Sequence, residues 1–165
     1  MNDESPPPCG DPPRRRKQPI HLVPIESWDR LPLVFVTACT AHRQPLLDHQ
    51  FVHELITGAW REANEWQVGR YVIMPDHVHF FCRPVSAQSR TLEKWMQYWK
   101  SLVTKRWPGS HLNPIWQASH WDRQLRREEN YNTKWEYVRQ NPARQGLVPR
   151  PEEWLYQGQL NELVW

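Results

Sequence analysis

Two histidines stand two residues apart in the string His77-Val78-His79. The stretch from His77 to Arg83 reads as a strand, in which successive side chains point to opposite faces. Both imidazoles then share one face and Val78 takes the other. Two neutral imidazoles so placed can bind one divalent cation. Two surface histidines on a half-exposed strand give the same string, and the motif alone does not separate the two. The remaining histidines, His21, His42, His49, His53, His111 and His120, show no comparable spacing.

A second group of reactive residues lies further along. Tyr131, Trp135 and Val138 recur at i, i+4 and i+7 and form one apolar helical stripe. Tyr137 falls about 120–130° away from that stripe at 3.6 residues per turn. Lys134, Tyr137 and Asn141 line the other face. Tyr131 is therefore read as packing, while Tyr137 can present a hydroxyl with an amide oxygen one turn on. An ordinary surface tyrosine fits the same pattern.

The elements that must position these groups follow from hydrophobic periodicity. Leu33 to Thr37 is a short β-branched run, read as a strand. Asp48 is placed to cap a helix in which Phe51, Val52, Leu55, Ile56, Ala59, Trp60 and Ala63 recur at helical spacing. Val68 to Met74 reads as a second strand. Pro75-Asp76 then turns the chain into the histidine strand, paired antiparallel. Leu92, Trp95, Met96, Trp99, Leu102 and Val103 stripe a second helix, ended by Pro108-Gly109. The irregular stretch from Ile115 to Leu125 supplies a fourth strand. Glu128 and Glu129 open a third helix, where acidic residues suit the positive helix N-terminus. It runs to about Asn141, because Pro142 disfavours helix at the residue before it. The order β-α-β-β-α-β is the ferredoxin-like pattern of the α+β class, with one additional C-terminal helix that carries Tyr137.

A chain of 165 residues suits one domain with room for a tail. Residues 1–27 hold seven of the prolines and the run Arg14-Arg15-Arg16-Lys17, and are expected to be a disordered arm. That run either touches DNA phosphates or is simply solvated. Residues 28–150 form the expected domain, and 151–165 a C-terminal extension. The net charge of +3 is mildly basic, which permits nucleic-acid binding without requiring it. Its basic residues are mostly arginine, which suits phosphate recognition but also follows from a GC-rich genome. Cys9, Cys39 and Cys82 are widely spaced, one must stay unpaired, and no CxxC occurs. A disulfide framework and a zinc knuckle are therefore not expected, and a reducing cytoplasm is. No signal region or membrane-spanning stretch is expected.

The strings Val72-Ile73-Met74-Pro75-Asp76-His77-Val78-His79 and Trp135-Glu136-Tyr137-Val138-Arg139-Gln140-Asn141-Pro142-Ala143-Arg144-Gln145-Gly146-Leu147-Val148 resemble the two signatures of the single-tyrosine HUH transposases. The REP-associated tyrosine transposase branch is the nearer likeness. Ile115-Trp116-Gln117 and His120-Trp121-Asp122-Arg123-Gln124-Leu125-Arg126 resemble that branch's segment ahead of the tyrosine helix. The likeness covers residues 31–150, and its order and spacing are more specific than either motif alone. It leaves out the proline-rich arm. Since the chain stops soon after residue 150, further C-terminal DNA-binding elements are not expected.

The resemblance implies an HUH nuclease fold in which His77 and His79 are metal ligands, Asn141 stands at the third ligand position, and Tyr137 is the nucleophile. Some relatives carry glutamine at that third position. It implies a bacterial, nucleoid-associated cytoplasmic enzyme that nicks and rejoins single-stranded DNA, or hairpins of repetitive extragenic palindromes, through a 5′-phosphotyrosine. A monomer is expected from this branch. Two imidazoles and an amide suit Mn²⁺ or Zn²⁺ by ligand preference, whereas family behaviour implies Mg²⁺ or Mn²⁺.

Arg123, Arg126, Arg127 and Lys105, with Lys134 and Arg14, Arg15 and Arg16, are the expected phosphate contacts. Trp121 and Trp116 are the expected base-stacking residues, while Trp95, Trp99 and Trp135 are read as core. Two other functions remain open. One is a metal-dependent phosphodiester hydrolase using activated water; the other is a catalytically silent DNA-binding protein.

Overall fold

A computed structural model describes residues 31–109, 114–125 and 130–163. Arg14, Arg15, Arg16, Arg126 and Arg127, and the acidic pair Glu128-Glu129, lie outside the described residues. The chain forms a five-stranded antiparallel sheet in the order β4-β1-β3-β2-β5. Its members are β1 (Val34–Cys39), β2 (Trp66–Met74), β3 (His77–Pro84), β4 (Trp121–Gln124) and β5 (Gln157–Gln159). Four of these give the ferredoxin-like order, and β5 adds an edge strand beyond β2.

The helices α1 (Gln50–Glu62) and α2 (Leu92–Arg106) cover one face of the sheet. Their stripes bury Val52, Ile56, Ala59, Trp60, Trp95, Met96, Trp99, Leu102 and Val103 against Val34, Val36, Val78, Phe80 and Cys82. Phe51, assigned to the α1 stripe by periodicity, is instead exposed. Residue 48 does not cap α1. The N-cap is His49, which makes no side-chain cap bond. The segment 151–163 docks along β2, whose Ile73 carbonyl accepts from the Trp154 indole N–H at 2.9 Å.

The opposite face carries α3 (Tyr131–Arg139) and a smaller apolar cluster of Leu33, Phe35, Val72, Met74, Phe81, Leu125, Val138 and Leu163. The α3 helix begins later and ends earlier than periodicity suggests. Asn130 caps it, its side-chain oxygen accepting from the N–H groups of Asn132 and Thr133. The chain breaks at Gln140, and Asn141–Arg144 form a separate turn, α4, with Pro142 in its first positions. Pro142 has no N–H to continue α3 but is tolerated in the first turn of a new helix.

A bulge in β2 docks α3. Val68 and Tyr71 face the same cluster although three residues apart, because the register shifts between them. The backbone groups freed from the ladder are reused. The Gly69 carbonyl accepts from Leu160 N–H at 3.0 Å, and Arg70 N–H donates to the Tyr131 hydroxyl at 3.1 Å. A side chain at Gly69 would meet Leu163 at 2.6 Å and the Tyr131 hydroxyl at 2.9 Å, so Leu163 and Tyr131 would have to shift to admit one.

Candidate active site

The histidine strand β3 lies between β1 and β2, on the inner part of the sheet. Alternation sends Val78, Phe80 and Cys82 to the α1–α2 face and leaves His77, His79 and Phe81 for the α3 face. Both histidines are 5% exposed. Their Nε2 atoms converge to 3.0 Å.

Each ring is fixed from behind. The Asp76 carboxylate accepts from His77 Nδ1 at 2.6 Å and is paired with Arg43 at 2.8 Å. An ionised carboxylate only accepts, so the His77 proton sits on Nδ1 and Nε2 offers its lone pair. His79 Nδ1 meets the Thr37 hydroxyl at 2.8 Å. That hydroxyl can donate or accept. His79 can therefore give an Nε2–H to His77 or turn its own Nε2 lone pair outward. Carboxylates and hydroxyls behind imidazoles are the usual supports of metal-bound histidines.

Burial opposes ionisation of Asp76, but the hydrogen bond from His77, the charge that ring carries when protonated, and the charge of Arg43 overcome it and lower the pKa. Burial, then the charges of His77, Arg43 and Arg144, hold His79 well below the ordinary imidazole range. A neutral imidazole is the form that ligates a metal. Two nitrogens bound to one ion at about 2.1 Å would lie about 3.0–3.4 Å apart for bond angles of 90° to tetrahedral. The donor set and spacing therefore fit a divalent cation held by His77 and His79.

Local backbone places the supports. Asp76 sits in the β2–β3 turn, where its carbonyl accepts from Thr40 N–H at 2.9 Å. Arg43 is carried by a short turn in which His42 and Arg43 have φ of 55° and 56°. Non-glycine residues in this left-handed region cost about 1–3 kcal/mol each, and such strain clusters at functional sites. Thr37 is the cross-strand partner of both His79 and Trp121, so Trp121, Thr37 and His79 form one row on this face.

Tyr137 lies on α3, over the same face, and is 42% exposed, while Tyr131 packs edge-on against Phe81 at 4.8 Å. The Arg144 guanidinium lies 4.0 Å from the Tyr137 ring centroid. It donates to the Tyr137 carbonyl at 2.6 Å and to the Asn141 side-chain oxygen at 2.8 Å. Asn141 opens α4 instead of closing the tyrosine helix, and one lone pair of its oxygen is used by Arg144. The charge of Arg144 contributes to the lowered pKa of His79, consistent with the α3–α4 junction lying on the histidine face of the sheet.

The other proposed contacts divide by face. Trp121 and Arg123 project from β4 on the histidine face, opposite Thr37 and Phe35. Lys134 is part of α3 on that side. Lys105 is in the last turn of α2, on the far face, and is not brought to the site. Trp116 is 6% exposed and packs on Trp99 at 5.2 Å, so it is core and not a base platform. Asp76, Arg43, Thr37 and Arg144 were not singled out by spacing. Asp76 and Arg144 stand inside the two motif strings; Thr37 and Arg43 carry no sequence signal and enter through strand register and a loop.

Structural comparison decides the fold. A solved structure of a REP-associated tyrosine transposase bound to a REP hairpin superposes with a TM-score of 0.63 at 18% identity, covering 77% of this chain and 75% of that one. The chain has the fold of the REP-associated tyrosine transposases. A REP-associated tyrosine transposase of Escherichia coli (strain K12) is 21% identical over 89 residues, 54% of this chain and 52% of that protein. The match thus spans about half the length of that curated relative. No protein-family model matches. The resemblance drawn from the two motif strings is borne out in both comparisons. Among the described residues no helix is long and apolar enough to cross a membrane.

Proposed function

We propose that this protein is a metal-dependent single-stranded DNA endonuclease and strand transferase that works through a 5′-phosphotyrosine, with REP-type hairpin DNA as its substrate. The observation that carries the reading is the His77–His79 pair, with Nε2 atoms 3.0 Å apart and supported by Asp76 and Thr37, on the sheet face covered by the tyrosine helix. His77 and His79 would hold Mg²⁺ or Mn²⁺, with the remaining lone pair of the Asn141 amide oxygen as a third donor. The bound ion would supply charge neutralisation at a phosphate oxygen.

The chain's own residues account for the rest. Asp76 and Thr37 orient the two imidazoles and keep their basic nitrogens directed at one point. Tyr137 is partly exposed, and its hydroxyl would be the nucleophile that meets a DNA strand. In the transfer step the Tyr137 oxygen bonds to phosphorus as the bond from phosphorus to the 3′ oxygen breaks. The phenolic proton passes to solvent, and the 3′ oxygen takes a proton from solvent. The phosphotyrosine link conserves one phosphodiester-like bond, so a second 3′ hydroxyl can reverse the step on a new end. Trp121, beside Thr37, is the base-stacking residue, and Arg123 and Lys134 are phosphate contacts on the same face.

The test uses labelled hairpin DNA and Mn²⁺ with wild-type and Tyr137→Phe protein, resolved on a denaturing gel. A covalent protein–DNA band that Tyr137→Phe abolishes is expected. Cleavage by Tyr137→Phe at the wild-type rate would assign the site to water-based hydrolysis. Hairpin binding without cleavage by the wild type would leave a DNA-binding protein.

A further inference from the structure

We propose that Arg144 is a catalytic residue that binds the phosphate under attack by Tyr137. This rests on the strand-transfer reading above and adds to it a residue that spacing did not select. A continuous helix would place residue 144 about 10 Å along the axis from residue 137. Across the junction at Gln140 the long side chain of Arg144 reaches back from α4, and its guanidinium comes to 4.0 Å from the Tyr137 ring centroid.

The guanidinium is held through one nitrogen. Its Nη2 donates both to the Tyr137 carbonyl, at 2.6 Å, and to the Asn141 side-chain oxygen, at 2.8 Å. The carbonyl is one of those that a helix leaves without a partner in its last turn, where a basic side chain is also favoured by the helix dipole. Nη2 belongs to both forked edges of a guanidinium and is occupied, while Nε and Nη1 make no hydrogen bond to a protein group among the described residues. Arg144 is exposed. Its position is thus set relative to the nucleophile while Nη1, at the tip of the side chain, keeps N–H donors for an oxyanion. A charge-assisted hydrogen bond from this always-charged, planar group to a phosphate oxygen is stronger than a neutral one.

Two alternatives on the molecule carry less. The groove lined by Arg70, Asn130, Asn132, Gln159 and Glu162 has its arginine engaged by Gln159 and Asn132. The buried Lys100 is satisfied by the carbonyls of Gln117 and Ser119. Arg144 contacts the proposed nucleophile and keeps donors for a ligand.

The experiment first maps the scissile bond with wild-type protein, hairpin DNA and Mn²⁺. The rate of covalent adduct formation at saturating hairpin and the hairpin dissociation constant are then measured for wild type, Arg144→Lys and Arg144→Ala. The saturated rate should fall on the order of a hundredfold in Arg144→Ala and by less in Arg144→Lys, as for loss of a donor to developing negative charge. The dissociation constant should change by less than about threefold, because the contact strengthens in the transition state. A methylphosphonate at the scissile position removes the charge, and there the ratio of wild-type to Arg144→Ala rate should shrink to less than about threefold.

A wild-type rate in Arg144→Ala overturns the proposal. So does a tenfold loss of affinity with an unchanged saturated rate, which would mark an ordinary backbone contact. A rate ratio on the methylphosphonate equal to that on the phosphodiester, or a methylphosphonate that neither protein cleaves, confines Arg144 to holding Tyr137 and overturns the phosphate contact. Adduct formation that survives Tyr137→Phe defeats the underlying strand-transfer reading instead, so the two failures are separable.

Discussion

The two faces of the sheet use aromatic and polar residues in opposite ways. On the α1–α2 face, Trp60, Trp95, Trp99 and Phe80 interlock with ring centroids 5.0–6.3 Å apart. On the α3 face, one imidazole stacks on Phe35 at 5.6 Å, and the row Trp121, Thr37, His79 replaces apolar packing with hydrogen-bonding groups. One face is built to exclude water and the other to hold donors in fixed directions. A single run of alternating residues in β3 serves both, since Val78, Phe80 and Cys82 belong to the first cluster while His77 and His79 face away from it. The rigid face makes the polar one possible: burying two imidazoles and a carboxylate is costly, and dense packing behind them compensates.

This contrast predicts how substitutions divide. Trp99→Ala, at a side chain with no exposed surface, should cost about 3–5 kcal/mol in chemical denaturation. Tyr137→Phe should stay within about 0.5 kcal/mol of wild type. Equal losses at the two positions would erase the distinction between a packing face and a working face.

A buried lysine sharpens the comparison from the other side. Lys100 sits on the packing face, and burial lowers its pKa from 10.5 to about 8. The carbonyls of Gln117 and Ser119 accept from it at 3.0 and 3.4 Å. Because the unfolded chain binds this proton more tightly, stability should rise with pH between about 8 and 10.5, by up to roughly 3 kcal/mol. Denaturation across that range should show the rise in wild type and a flatter profile in Lys100→Met. Parallel profiles would mean that Lys100 keeps its charge in the folded protein at no cost.

A smaller effect than that of Lys100 concerns the supports of the polar face. Asp76→Asn keeps the shape but weakens the orientation of His77, and it should reduce Mn²⁺ affinity by about 10- to 100-fold in calorimetric titration, or ~1.4–2.7 kcal/mol. Unchanged affinity would remove Asp76 from the site and leave the histidines to act alone.

Much of the fold was legible because periodicity is a local property. The stripe of α2 from Leu92 to Val103 and the alternation of β3 are written in consecutive residues, and all six stripe residues are buried as expected. The edge strand β5 was not legible, since Gln157-Gly158-Gln159 has no apolar alternation; it pairs because the bulged β2 offers it an edge. The limits of the tyrosine helix were misread at both ends. Asn130 caps it through its side chain, and Pro142 starts a new turn instead of only ending the old one. The stacking role of Trp116 failed for a similar reason: irregular sequence suggested exposure, but the bridge between Thr40 and Trp116 holds it against Trp99.

By itself the sequence determined that His77 and His79 share a face and that Tyr137 stands off the packing stripe of its helix. Both follow from the covalent geometry of strand and helix, which any tertiary context must obey. Only the tertiary structure decided which groups support the imidazoles and what lies over the tyrosine. Thr37 reaches His79 through strand register, Arg43 reaches Asp76 through a left-handed turn, and Arg144 reaches Tyr137 because Pro142 breaks a helix. Each of these contacts depends on where the chain returns in space, and spacing along the sequence carries no record of that.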